Sequence, residues 1–103
     1  MAFNGTEGDQ ITLQEAAALT ENYRNNNPGS PLAHYIGKDI LQQIIDQRDC
    51  MGIRIYYGEE DNGTPALVFV GADDQENDQI NGIIADKTYL CPTSCSTSNA
   101  LNS

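Results

Sequence analysis

Residues 51–71 decide the fold: Met51-Gly52-Ile53-Arg54-Ile55-Tyr56-Tyr57-Gly58-Glu59-Glu60-Asp61-Asn62-Gly63-Thr64-Pro65-Ala66-Leu67-Val68-Phe69-Val70-Gly71. Met51, Ile53, Ile55 and Tyr57 alternate with Gly52, Arg54 and Tyr56, and a period of two places each set on its own face of an extended strand. Glu59 to Gly63 carry turn chemistry, and Ala66 to Val70 are apolar without a break. The simplest reading is an antiparallel hairpin. Its second strand is apolar on both faces, which predicts a central place in the sheet.

Upstream the period is helical. Thr12-Leu13-Gln14-Glu15 is a capping box, in which the Thr hydroxyl accepts from the Glu15 amide and the Glu15 carboxylate accepts from the Thr12 amide. Ala16-Ala17-Ala18-Leu19 propagate the helix through Tyr23, and Asn25-Asn26-Asn27-Pro28-Gly29 stop it. Ser30-Pro31 reads as a second helix start, with proline where its missing amide hydrogen is tolerated. Leu32, Tyr35, Ile36, Ile40, Leu41, Ile44 and Ile45 then recur at helical spacing, interrupted at Gly37, which bends or divides the helix.

Downstream, Asp73 to Asp78 form a charged loop, and Ile80, Ile83 and Ile84 read as a third strand in preference to a helical turn. Residues 1–10 read as a flexible arm, 11–95 as a single domain and 96–103 as a flexible tail. The fold class is α+β: two N-terminal helices packed on a small antiparallel sheet of roughly two to four strands. Leu13, Ala17, Ile36, Ile40, Ile44 and Ile45 are the expected helical half of the core, against Ile53, Ile55, Leu67 and Phe69.

The chain has 103 residues, five Lys and Arg against fifteen Asp and Glu, and a formal charge of −10. Such a charge repels nucleic-acid phosphate and anionic lipid, and it steers association toward a basic protein. No nucleic-acid or membrane partner is expected. The N-terminal residues have neither the basic region nor the apolar run of a secretion signal, and no segment is apolar enough to span a bilayer, which points to a soluble, cytoplasmic protein. Asn4-Gly5-Thr6 and Asn62-Gly63-Thr64 fit the glycosylation pattern but read as turns.

The soft metal ligands are His34, Cys50, Cys91 and Cys95. Four suffice for tetrahedral zinc, but only Cys91-Pro92-Thr93-Ser94-Cys95 forms a close pair, where structural zinc sites draw on two. The pair is as well suited to a small disulfide loop, and Cys50 to a small core position. A Cys50–His34 nucleophile lacks any recognisable oxyanion site or orienting group. Asp73, Asp74, Glu76, Asn77 and Asp78 do not follow the calcium-loop pattern, and no phosphate-cradling glycine loop is present. The expectation is therefore no cofactor and no catalytic residue.

Arg54, Tyr56 and Tyr57 are the interaction candidates, since arginine and tyrosine combine large contact area with a polar handle. From His34-Tyr35-Ile36-Gly37-Lys38 through Cys50-Met51-Gly52-Ile53-Arg54-Ile55-Tyr56-Tyr57-Gly58, and again at Cys91-Pro92-Thr93-Ser94-Cys95, the chain resembles a group of small bacterial proteins found largely among bacteroidetes. The resemblance spans residues 11 to 95 and implies a bacterial, stand-alone domain. It carries no activity, cofactor or catalytic residue with it.

The functional expectation is a non-enzymatic protein-interaction or assembly domain, acting on a protein partner or as a homo-oligomer through a sheet edge or the Arg54 and Tyr56 face. Two alternatives stand beside it: a metal-binding or thiol-redox protein using Cys91 and Cys95 with Cys50 and His34, and an acidic inhibitor of a basic partner.

Overall fold

The computed structural model describes residues 2–103. Along them run α1 (Leu13–Asn26), β1 (Ala33–Tyr35), α2 (Lys38–Ile45), β2 (Gly52–Glu59), β3 (Pro65–Ala72), β4 (Ile84–Ala85) and β5 (Tyr89–Cys91). Helices and antiparallel sheets coexist, β2-β3-β4 in one sheet and β1-β5 in the other, so the class is α+β. The chain divides into two compact units, one made of the residues up to Glu7 with Ile36–Thr88, the other of Gly8–Tyr35 with Tyr89–Ser103.

In the first unit the hairpin forms with unbroken register from Gly52↔Ala72 to Glu59↔Pro65. Its turn closes because the Glu60 amide donates to Thr64 O at 2.8 Å and the Gly63 amide to Glu60 O at 2.9 Å. Asn62 Oδ1 accepts from the Thr64 amide at 3.0 Å. Gly63 sits at φ +89°, a region in which a side chain is strained. β3 is central, flanked by β2 and β4.

The isoleucine run beyond the acidic loop yields only the two-residue β4, paired Phe69↔Ala85 and Val70↔Ile84. Ile80 is exposed, while Ile83 packs into the core. The acidic loop is tied internally, Asp73 Oδ1 accepting from the amides of Gln75 and Asn77 at 2.9 Å each.

The core of this unit is Ile44, fully buried, with Phe69 and Ala85; Ile36, Ile40, Leu41, Cys50, Ile53, Leu67 and Ile83 surround it. Ile40, Leu41 and Ile44 reach it together because spacings of three and four bring side chains to one face of α2. Complete burial of a side chain the size of Ile44 is worth about 1.5–3 kcal/mol.

The expected second helix is corrected. It begins at Lys38, behind an extended Gly37 that offers no side-chain cap, and it has eight residues. Residues 33–35 are strand: the Leu32 amide donates to Cys91 O at 2.8 Å, and Ala33, His34 and Tyr35 pair with Cys91, Leu90 and Tyr89. Aromatic side chains favour a pleated ladder, and Tyr35 and Tyr89 meet edge to face with centroids 6.4 Å apart. Nor do both helices belong to the hairpin's unit, since α1 falls in the other one.

Three expected core residues are largely exposed: Leu13 at 62%, Ile45 at 47% and Ile55 at 51%. The case of Ile55 is lateral: its cross-strand partner Phe69 lies in the core, so the exposure on that face falls on the outer strand β2.

In the second unit the capping box forms as read, with Thr12 Oγ1 accepting from the Glu15 amide and Glu15 Oε1 from the Thr12 amide, both at 3.1 Å. Cys91, the last residue of β5, is joined to Cys95 by a disulfide. The segment read as a tail has bonds of its own: Arg24 donates to Leu101 O at 2.9 Å and Ser103 O at 2.7 Å, and the Leu101 amide donates to Asn99 Oδ1 at 2.8 Å. No helix among the described residues is long and apolar enough to cross a membrane.

Candidate functional site: the outer strand of the hairpin

Arg54 and Tyr56 share one face of β2, as the alternation requires. Across that face lies Asp78, fixed by an isolated bridge between Ala72 and Asp78. Arg54 Nη1 donates to Asp78 Oδ1 at 2.5 Å and to Glu76 O at 3.2 Å. The Tyr56 hydroxyl donates to the other carboxylate oxygen, Oδ2. Phe3 completes the group: its ring lies 5.5 Å from Arg54 Cζ, and its amide donates to Asp74 O at 3.1 Å.

These contacts move all three ionisable groups away from neutrality. The Tyr56 hydrogen bond, followed by the bond and charge of Arg54, holds the Asp78 carboxyl below the usual carboxylate range against partial burial. The bond to Asp78 raises Arg54 above its ordinary value, and the same carboxylate together with burial raises Tyr56. A general acid or base works best with a pKa near the operating pH. This triad is driven the other way, toward a charged pair beside a protonated phenol at neutral pH.

The stretch read as a flexible arm contributes a small cleft. The amides of Asn4 and Gly5 both donate to the Glu7 carboxylate at 3.0 Å, and that bonding, the Asn4 amide first, lowers the Glu7 pKa. Between the arm and the start of β2 lies a hollow of about 370 Å³, walled by Phe3, Met51, Ile53 and Arg54 among others. Its charged groups, Arg54 and Glu7, are already engaged within the fold.

The opposite face and the outer edge of β2 are different in kind. β2 takes its ladder from β3 alone, which leaves the hydrogen-bonding groups along its other side without a strand. Tyr57 is 95% exposed, and Ile55, 51% exposed, shares its face. Of the three interaction candidates, Arg54 and Tyr56 are thus bound into the fold and Tyr57 is presented outward.

The soft ligands do not converge. Cys91 and Cys95 are the disulfide and His34 faces Leu90 across the β1–β5 ladder, all in the second unit. Cys50 belongs to the first unit, half-buried against the core, with its thiol 3.2 Å from Gly52 O. Among the described residues no group of three or more His, Cys, Asp or Glu side chains is arranged to hold a metal ion.

Sequence reading missed Asp78 and Phe3, because neither stands at a diagnostic distance from Arg54. It also missed Gln47. That side chain donates to Ile44 O at 2.9 Å and accepts from the Ile83 amide at 2.7 Å, tying the end of α2 to the approach of β4. Gly71 makes room for this joint; a Cβ there would overlap Gln79 Oε1 and lie 3.0 Å from Gln47 Nε2 and 3.1 Å from Cys50 Sγ. Compared with protein families, curated proteins and solved structures, the chain matches none.

Proposed function

We propose that the chain is a non-enzymatic protein-interaction module whose working surface is the outer edge of β2 with Ile55 and Tyr57 beside it. The observation that carries this reading is an eight-residue edge strand paired on one side only, with Tyr57 95% exposed. An unpaired edge is a template for another strand: main-chain bonds supply affinity, and alternate side chains supply selectivity. Exposed aromatic and aliphatic side chains next to such an edge are the usual anchors of an interface.

The Arg54–Tyr56–Asp78 group supports the same reading as a brace, keeping the edge strand rigid so that little ordering is needed on binding. Amide hydrogen exchange on a complex reconstituted from the native host tests it. Protection should appear at the outward amides of β2, and Ile55→Lys should weaken the complex. A stable complex that leaves the β2 amides unprotected and tolerates Ile55→Lys would remove the edge from consideration.

A further inference from the structure

The outer edge of β2 has a neutral middle and an acidic end. Within Gly52–Glu59 the charges are Arg54 and Glu59, and Arg54 is neutralised by Asp78. Glu59, Glu60 and Asp61 follow at the hairpin tip, all exposed. The ion pairs among the described residues are Lys38–Asp39, Arg48–Asp49 and Arg54–Asp78, so the three tip carboxylates have no cation.

We infer that the occupant of the β2 edge is an extended segment of a cationic protein, added antiparallel to β2, with its basic residues at the segment's N-terminal end. The inference rests on the edge reading above and adds the chemistry and the direction of the partner. β2 runs from Gly52 to Glu59, so the carboxylates stand at its C-terminal end. In an antiparallel pair that is where the added strand begins. Basic side chains there meet Glu59, Glu60 and Asp61, while residues further along meet Ile55 and Tyr57 and are selected for apolar or β-branched character.

Charge also decides against a second copy as the occupant. Each chain carries −10, so pairing two edges brings like charges together, and the one arginine within β2 is already held by Asp78. A cationic segment relieves the repulsion and is steered toward the tip before contact.

The test uses three labelled peptides of alternating valine and threonine: one with lysines at the N-terminal end, one with the same lysines at the C-terminal end, and one with N-terminal glutamates. Fluorescence anisotropy is read at low and high salt, with hydrogen exchange on the β2 amides. The first peptide should bind about tenfold tighter than the second. It should also protect β2 and lose affinity with salt, and the glutamate peptide should not bind. Substituting Glu59→Gln, Glu60→Gln and Asp61→Asn together should erase the preference. Equal binding of the two lysine peptides overturns the inference. Dimeric protein with protected β2 amides and no peptide present assigns the edge to a second copy, overturning the cationic partner while the edge reading stands. Unprotected β2 amides in every arm overturn both.

Discussion

Asp78 holds Arg54 through a 2.5 Å contact between Oδ1 and Nη1, so the arginine of the edge strand is turned into the fold instead of toward a partner. Its side chain keeps 32% of its exposure and that of Asp78 19%, which leaves the pair partly screened by solvent.

The pair sets a pH window. Asp78 titrates below its ordinary range, chiefly because of Tyr56, so its stabilisation is full above the unfolded carboxylate pKa, about 3.9, and is lost as pH falls through the lower folded value. Tyr56 is raised, so its share is full below the unfolded phenol pKa, about 10, and is lost as pH rises through the higher folded value. Urea midpoints of the wild type and Asp78→Asn should differ at neutral pH and converge in acid. A gap unchanged down to about pH 2 would contradict the assignment.

Tyr57 and Ile44 should behave as opposites. Tyr57→Ala removes an almost fully exposed ring and should change stability by no more than about 0.5 kcal/mol. Ile44→Ala empties the centre of the core and should cost about 2–5 kcal/mol. Chemical denaturation ranks them, and a large loss at Tyr57 would mean that its ring is needed for folding.

Gly71→Ala should destabilise by about 1 kcal/mol, because the methyl group displaces the amide ends of Gln79 and Gln47 and presses on Cys50. Gly52→Ala, at the end of the same hairpin, has open space and serves as the control. If thermal melts shift equally for the two, the glutamine joint is not tight.

Oxidised protein should show a single alkylatable thiol, at Cys50, and three after reduction. Mass spectrometry after alkylation counts them. The same count on protein taken directly from its host reads the redox state of its compartment, since such bonds persist where the surroundings are oxidising. Three thiols in protein purified under air would contradict the Cys91–Cys95 bond.

Much of the fold is legible because it is local. Strict alternation and Asn62-Gly63 specify the hairpin within one short stretch, and Thr12 with Glu15 specifies the start of α1. Residues 33–35 are not legible in that way, because the ladder that makes them a strand comes from Tyr89–Cys91, far along the chain. Leu32, Tyr35 and Ile36 happen to continue a helical period, so local pattern points to the wrong element there. That one substitution of strand for helix shortens α2 to eight residues.

The candidate site divides along the same line. Alternation places Arg54 and Tyr56 on one face, as the structure does. Which of the clustered acids binds them depends on how the loop after β3 folds back, and spacing says nothing of that. The outward presentation of Tyr57 depends in turn on β2 being the outer strand of its sheet.

The interleaving of the two units has a consequence for synthesis. β1 leaves the ribosome before α2 and the hairpin, but its ladder partner β5 follows them. The three strands of the hairpin's sheet are therefore all translated while β1 still waits. Vectorial synthesis lets β2, β3 and β4 assemble first, and the disulfide-bearing end of the chain closes the second sheet last.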